Sequence, residues 1–176
     1  MGSQKGFGAI AIIFMVLGVI VVGSAGAGAA ALLGQAPQCQ SQAAGVRSDK
    51  EIGDALEKGS ITITDGEATT LAQNYIGGQV EDGKICFTKG LAHFSGKKNL
   101  GSITPSFYVT AGVDLTGSVP NATNLSIQFG SLPNNPILSS LAQGVINKLI
   151  ADDLSKIELK QQYKASFTDG SVTISK

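Results

Sequence analysis

Between Gly6 and Val46 the chain carries no charged side chain, and residues 7–33 are almost wholly apolar or small. No other feature limits the fold as much. A bilayer's hydrocarbon core takes about 20 apolar residues in helical form, and a run above about 18 reads as a membrane span. Residues 9–22 supply most of that length, and the Gly/Ala run to Leu33 extends it. Inside hydrocarbon every backbone N–H and C=O must be bonded within the chain, which a helix achieves at once. Beyond Val46 the chain is polar enough for water. The sequence therefore predicts three parts. Residues 1–35 form a cytoplasmic stub and transmembrane anchor, 36–58 a tether and short helix, and 59–176 an exported domain.

Lys5 and the amino terminus are the only cations before the span, and the next is Arg47. The positive-inside bias puts the amino terminus inside and the C-terminal domain outside, as a single-pass protein of the cell membrane. Two fates are compatible with this, a retained signal-anchor or a cleaved signal peptide. Ala25-Gly26-Ala27 offers small residues for cleavage, but the apolar run is longer than the roughly 7–15 residues of a signal core. Either fate exports the domain. Lys5-Gly6-Phe7 before an apolar helix also resembles the processing site of type IV pilin-like proteins. That resemblance implies cleavage between Gly6 and Phe7 and a subunit of an envelope assembly. It departs at Ala11, where most pilins carry Glu.

Lys and Arg together number 13, as do Asp and Glu, so the net charge is zero and gives no basic footprint for nucleic acid. The scattered lysines make no polybasic lipid patch either. Cys39 and Cys86 are the only cysteines. Export makes a disulfide between them feasible, pinning the juxtamembrane tether to the domain. The other reading is two unpaired thiols, with Cys86 half-buried in a strand, since a bridge needs a Cβ geometry that sequence does not supply. Gln38 ahead of Cys39 carries no lipoprotein signal.

Reactive groups are few. His93 is the only histidine, which excludes a His-based metal cluster and leaves any triad dependent on one residue. In a strand it reads as solvent-facing or satisfied. Glu81-Asp82 falls in a turn and Asp152-Asp153 near a helix end, and both read as solvated pairs. The glycines of residues 23–34 lack the strand and the Lys-Ser/Thr of a phosphate loop. Asn121-Ala122-Thr123 and Asn124-Leu125-Ser126 match the glycosylation pattern. No catalytic residue, metal ligand or cofactor site is expected, and the chain does not read as an enzyme.

The domain reads as α+β. Residues 36–45 look like a flexible tether with little to bury. Ser48 and Glu51 cap a short helix to Lys58, and Ile61 and Ile63 alternate in a short strand. Thr64 and Glu67 make a second capping box, followed by the stripe Ala68, Leu71, Ala72, Tyr75, Ile76. A hairpin turns at Lys89-Gly90, a strand of alternating apolar residues runs from Phe107 to Leu115, and Leu125, Ile127 and Phe129 return beside it. Asn135 and Pro136 open a helix to about Leu154 with Leu138, Leu141 and Val145 on its broad apolar face. Residues from Ile157 to Phe167 alternate as a strand, and Asp169-Gly170 turns into Val172 and Ile174.

This order of elements, with Phe129-Gly130-Ser131-Leu132-Pro133 and the terminal Asp169-Gly170-x-Val172-x-Ile174, resembles the small exported proteins of the LmeA and YpmS type. Those are related to tubular lipid-binding domains. The resemblance spans roughly residues 59–176. It implies a curved antiparallel sheet wrapped around one longer and one shorter helix, with an apolar groove for a lipid or other amphiphile. The groove residues would be Leu71, Tyr75, Phe107, Val109, Phe129, Leu138, Leu141 and Val145. The same residues would serve equally as a plain core, because pockets and cores share residue types.

Overall fold

The computed structural model describes residues 36–76, 80–99, 104–130, 159 and 161–176. The apolar stretch 7–33 and the helix expected at 136–154 lie outside the described residues. Among the described residues no helix is long and apolar enough to cross a membrane.

The elements, in chain order, are α1 (Asp49–Glu57), β1 (Ser60–Thr64), α2 (Asp65–Ile76), β2 (Glu81–Thr88), β3 (Leu91–Lys97), β4 (Ser106–Asp114), β5 (Asn121–Phe129), β6 (Lys164–Thr168) and β7 (Ser171–Ser175). The class is α+β with antiparallel pairing throughout. The strands form two sheets where one curved sheet was expected. One is a four-stranded meander in the order β2-β3-β4-β5, and the other is three-stranded in the order β1-β7-β6. Alternation along a strand fixes which face is apolar but not which strand lies beside it, so the pairing of β1 with β7 has no local signal.

Local chemistry explains the element boundaries. Ser48 Oγ accepts from the Glu51 N–H at 3.3 Å, and a Glu51 carboxylate oxygen accepts from the Ser48 N–H at 2.7 Å, a complete capping box for α1. α2 has only half of the expected box. Thr64 Oγ1 accepts from the Glu67 N–H at 3.3 Å, but the Glu67 carboxylate turns to Arg47, taking 2.8 Å from Nε and 2.6 Å from Nη2. Glu67 is buried, and a guanidinium offers two charge-assisted bonds where the α2 start offers one N–H. Arg47 Nη2 also donates to the Thr62 carbonyl at 2.6 Å, covering part of the outer edge of β1.

The two sheets meet at their turns. Gly90, in the β2–β3 turn, donates to the Phe167 carbonyl, and Gly170, in the β6–β7 turn, donates to the Phe87 carbonyl. Both glycines hold a positive φ, 82° and 79°, which side-chain-bearing residues adopt only with strain. The Phe87 and Phe167 rings pack across this junction at 5.9 Å. One continuous core links α1, both sheets and α2, with Phe94, Phe107, Ile63, Ile85 and Ile174 almost wholly enclosed. The strand expected from Ile157 is shorter, beginning at Lys164, because its partner β7 ends opposite that residue at Ser175. Leu159 and Tyr163 instead donate to Ser118 and Leu115, following the connection between β4 and β5.

α2 closes the outer edge of β2, which an open sheet would otherwise leave as a row of unpaired backbone groups. Asp65 Oδ1 accepts from the Phe87 N–H at 2.8 Å. Thr69 Oγ1 accepts from the Ile85 N–H at 2.9 Å and donates to the Ile85 carbonyl at 3.1 Å. Gln73 Nε2 donates to the Gly83 carbonyl at 3.0 Å. Residues four apart on a helix rise about 6 Å, and residues two apart on a strand about 6.7 Å, so one polar stripe keeps step with one strand edge.

Candidate functional site: a strapped polar face

The meander has two unlike faces. Ala92 and Phe94 of β3 pair with Ala111 and Val109 of β4 on the core side. On the other side His93, Ser95 and Cys86 meet Thr110 and Tyr108 in a polar band. β3 is buried on both sides because a second layer covers this polar face.

That layer is the segment read from its composition as a flexible tether. It is a strap. The Ala36 N–H donates to Ser106 Oγ at 2.8 Å, and the Cys39 N–H to Ser95 Oγ at 3.0 Å. Ser41 Oγ bonds Thr69 Oγ1 at 2.9 Å, the Ala44 N–H donates to the Gly66 carbonyl at 3.2 Å, and Thr70 Oγ1 donates to the Ala44 carbonyl at 2.8 Å. Ala36 and Cys39 are buried while Pro37, Gln38 and Gln40 face solvent. The composition misleads because the segment is held through its backbone and by small residues, with its glutamines turned outward. At Gly66 a Cβ would stand 2.7 Å from the Gln42 carbonyl oxygen, so this close passage of strap over helix requires glycine.

Cys39 and Cys86 are joined as a disulfide, with Cα atoms 5.6 Å apart. The bond fastens the strap to β2 in the middle of the polar face.

His93 sits beneath this cover, 8 % exposed. Nε2 lies 2.7 Å from Thr88 Oγ1 and Nδ1 3.1 Å from Thr110 Oγ1, and the ring stacks on Tyr108 at 5.4 Å. Both nitrogens are satisfied by hydroxyls, which rotate to suit whichever tautomer is present. Among the described residues no group of three His, Cys, Asp or Glu side chains is placed to hold a metal, and no buried side-chain N or O lacks a partner.

Burial lowers the His93 pKa from its ordinary 6.5, with the Asp65 carboxylate acting weakly in the other direction. The folded state thus binds this proton less readily than the unfolded chain. Stability is full above about pH 6.5 and falls as the pH drops through that value toward the lower folded pKa. Asp65, raised by its own burial, acts with the opposite sign at lower pH. Thermal melts should therefore give a lower Tm at pH 5.5 than at pH 7.5, and His93→Gln, which keeps Asp65, should remove most of that difference. An unchanged pH slope in the variant would show that His93 is not its source.

Of the expected groove residues, Leu71, Phe107 and Val109 are packed within the core, at 5 %, 1 % and 1 % exposure. Phe107 tilts against Phe94 with ring centroids 5.3 Å apart. Tyr75 belongs to the last turn of α2, and Phe129 ends β5 opposite Phe107. Leu138, Leu141 and Val145 lie outside the described residues. The sequence reading missed Ser95, Ser106, Thr69 and the Arg47–Glu67 pair. A serine alternating into an apolar strand, as Ser95 does beside Phe94, was the one signal that the second face is also covered.

Comparison of the chain with protein-family models, with curated proteins and with solved structures finds no match.

Proposed function

We propose that this chain is a membrane-anchored, extracytoplasmic domain that binds or presents a lipid or other amphiphile without covalent chemistry. The observation that supports it most is the strap. Ala36 is buried and hydrogen-bonded three residues after Leu33, the last bulky residue of the apolar stretch. A domain joined with so little slack stays beside its lipid source if the stretch stays in the bilayer. In this reading the meander curves around a helix at residues 136–154. Leu71, Phe107 and Val109 form the dry floor, and Tyr75, Phe129, Leu138, Leu141 and Val145 contact acyl chain. Moving acyl surface from water into such a groove contributes about 25 cal/mol per Å².

Native mass spectrometry with lipid extraction tests this on a chain exported to its oxidising compartment. A shortened version must begin no later than Ala36, since starting at Arg47 removes Cys39 and the whole strap. Phospholipid at fixed stoichiometry is expected, and Leu141→Phe with Val145→Phe should abolish it while the chain stays folded. A domain that carries no lipid and ignores added lipid overturns the reading. The second reading is a pilin-like or envelope-assembly subunit without ligand, supported by Lys5-Gly6-Phe7. A mature amino terminus at Phe7 would favour it.

A further inference from the structure

We propose that the end of the four-stranded sheet carrying Glu81, Lys97 and Ser106 faces the lipid surface, with the Lys89-Gly90 turn directed away from it. This rests on the reading that residues 7–33 stay in the bilayer, and it adds which part of the domain meets the headgroups.

Chain reach carries the inference. An extended chain spans at most about 3.3–3.6 Å per residue, so three residues bound the distance from the Leu33 Cα to the Ala36 Cα at about 11 Å. Ala36 is not free to swing, because its N–H is bonded to Ser106 Oγ at 2.8 Å and its side chain is buried. Ser106 opens β4 and pairs with Lys97, the last residue of β3. Lys97 in turn pairs with Glu81, the first residue of β2, and β5 ends beside them where the Gly130 N–H donates to the Ser106 carbonyl. Four strand ends therefore lie where the strap enters. From there the strap runs away across Ser95 to Cys86, and the disulfide holds that direction.

The opposite end of the meander is committed elsewhere. There the Gly90 N–H is bonded to Phe167 of β6 and the Phe87 carbonyl to Gly170 of the β6–β7 turn, so that end is joined to the three-stranded sheet. The chemistry of the near end suits a headgroup layer. Lys97 is paired with Asp82 at 2.7 Å, while Lys98 beside it makes no ion pair among the described residues. Lys98, a partly exposed residue, and the exposed Glu81 on the neighbouring strand then present one charge of each sign to the phosphate and ammonium groups of a zwitterionic headgroup layer.

The chain contains no Trp, so a single introduced indole is read without background. Lys98→Trp and Lys89→Trp put that reporter just beyond the two ends of β3, a strand that itself spans about 20 Å at about 3.4 Å per residue. The full-length chain is reconstituted in phosphatidylcholine vesicles containing a lipid with a nitroxide on its headgroup. Quenching of the Lys98→Trp indole is expected to exceed that of Lys89→Trp by threefold or more, and Glu81→Trp should repeat the Lys98→Trp result on the neighbouring strand. Equal quenching, or stronger quenching at Lys89→Trp, in protein that floats with the vesicles overturns the orientation while leaving the anchor intact. Protein that fails to float overturns the anchor and the orientation with it.

Discussion

Replacing Cys39 and Cys86 together with Ala is expected to lower the unfolding free energy by about 3–4 kcal/mol. The bridged residues are 47 apart in sequence, and the chain-entropy relation gives about 4 kcal/mol for a closed loop of that size. The folded state should change little. The strap keeps its bonds to Ser106, Ser95, Thr69 and Gly66 without the disulfide, so the loss falls mainly on the unfolded chain, which gains freedom. Ala is preferred to Ser because Cys39 is buried and a hydroxyl there would need a partner. Urea denaturation of the double variant should match that of the parent in reductant, both with a lower midpoint than the oxidised parent. Midpoints that agree with and without reductant would show that the bond contributes nothing.

Much of the fold is written in local patterns. The Ser48–Glu51 box, the alternation of Ile61 with Ile63, the Lys89-Gly90 turn and the apolar face of β4 each follow from residues within one or two turns of chain. The features that escaped are of a different kind. Pairing of β1 with β7 joins residues more than a hundred positions apart, and alternation says nothing about which partner a strand chooses. Glu67 has the spacing of a capping residue, yet the stronger donor Arg47, twenty residues earlier, takes its carboxylate. The strap is the clearest case. Its sequence is Gln-rich and weakly apolar, and its attachment depends on backbone N–H groups that look alike in every sequence. The groove candidates divide for a related reason. Apolar periodicity selects inward positions, so it found Leu71, Phe107 and Val109, but it does not distinguish a side chain facing protein from one facing ligand.

Thr69→Val is expected to cost about 2–4 kcal/mol, an effect out of proportion to the loss of one hydroxyl. The substitution preserves shape and β-branching, so helix propensity and volume hardly change. What it removes is both partners of a buried residue's backbone. Ile85 is fully enclosed, its N–H and C=O face away from β3, and the single Oγ1 of Thr69 serves both, at 2.9 Å and 3.1 Å. Water has no access at that depth. Each buried group left unpaired costs about 1–3 kcal/mol, and Ser41 of the strap loses its hydroxyl partner as well. Thr69→Ser keeps the oxygen and should fall within about 1 kcal/mol of the parent, allowing for one deleted methyl. The comparison is made by urea denaturation at constant m, with amide hydrogen exchange at Ile85 as the local readout. A Thr69→Val variant as stable as Thr69→Ser, with Ile85 still protected, would show that the edge of β2 does not depend on α2. The expected result is the opposite, because Asp65, Thr69 and Gln73 stand in register with Phe87, Ile85 and Gly83, and removing the middle rung leaves the edge open where the core is deepest.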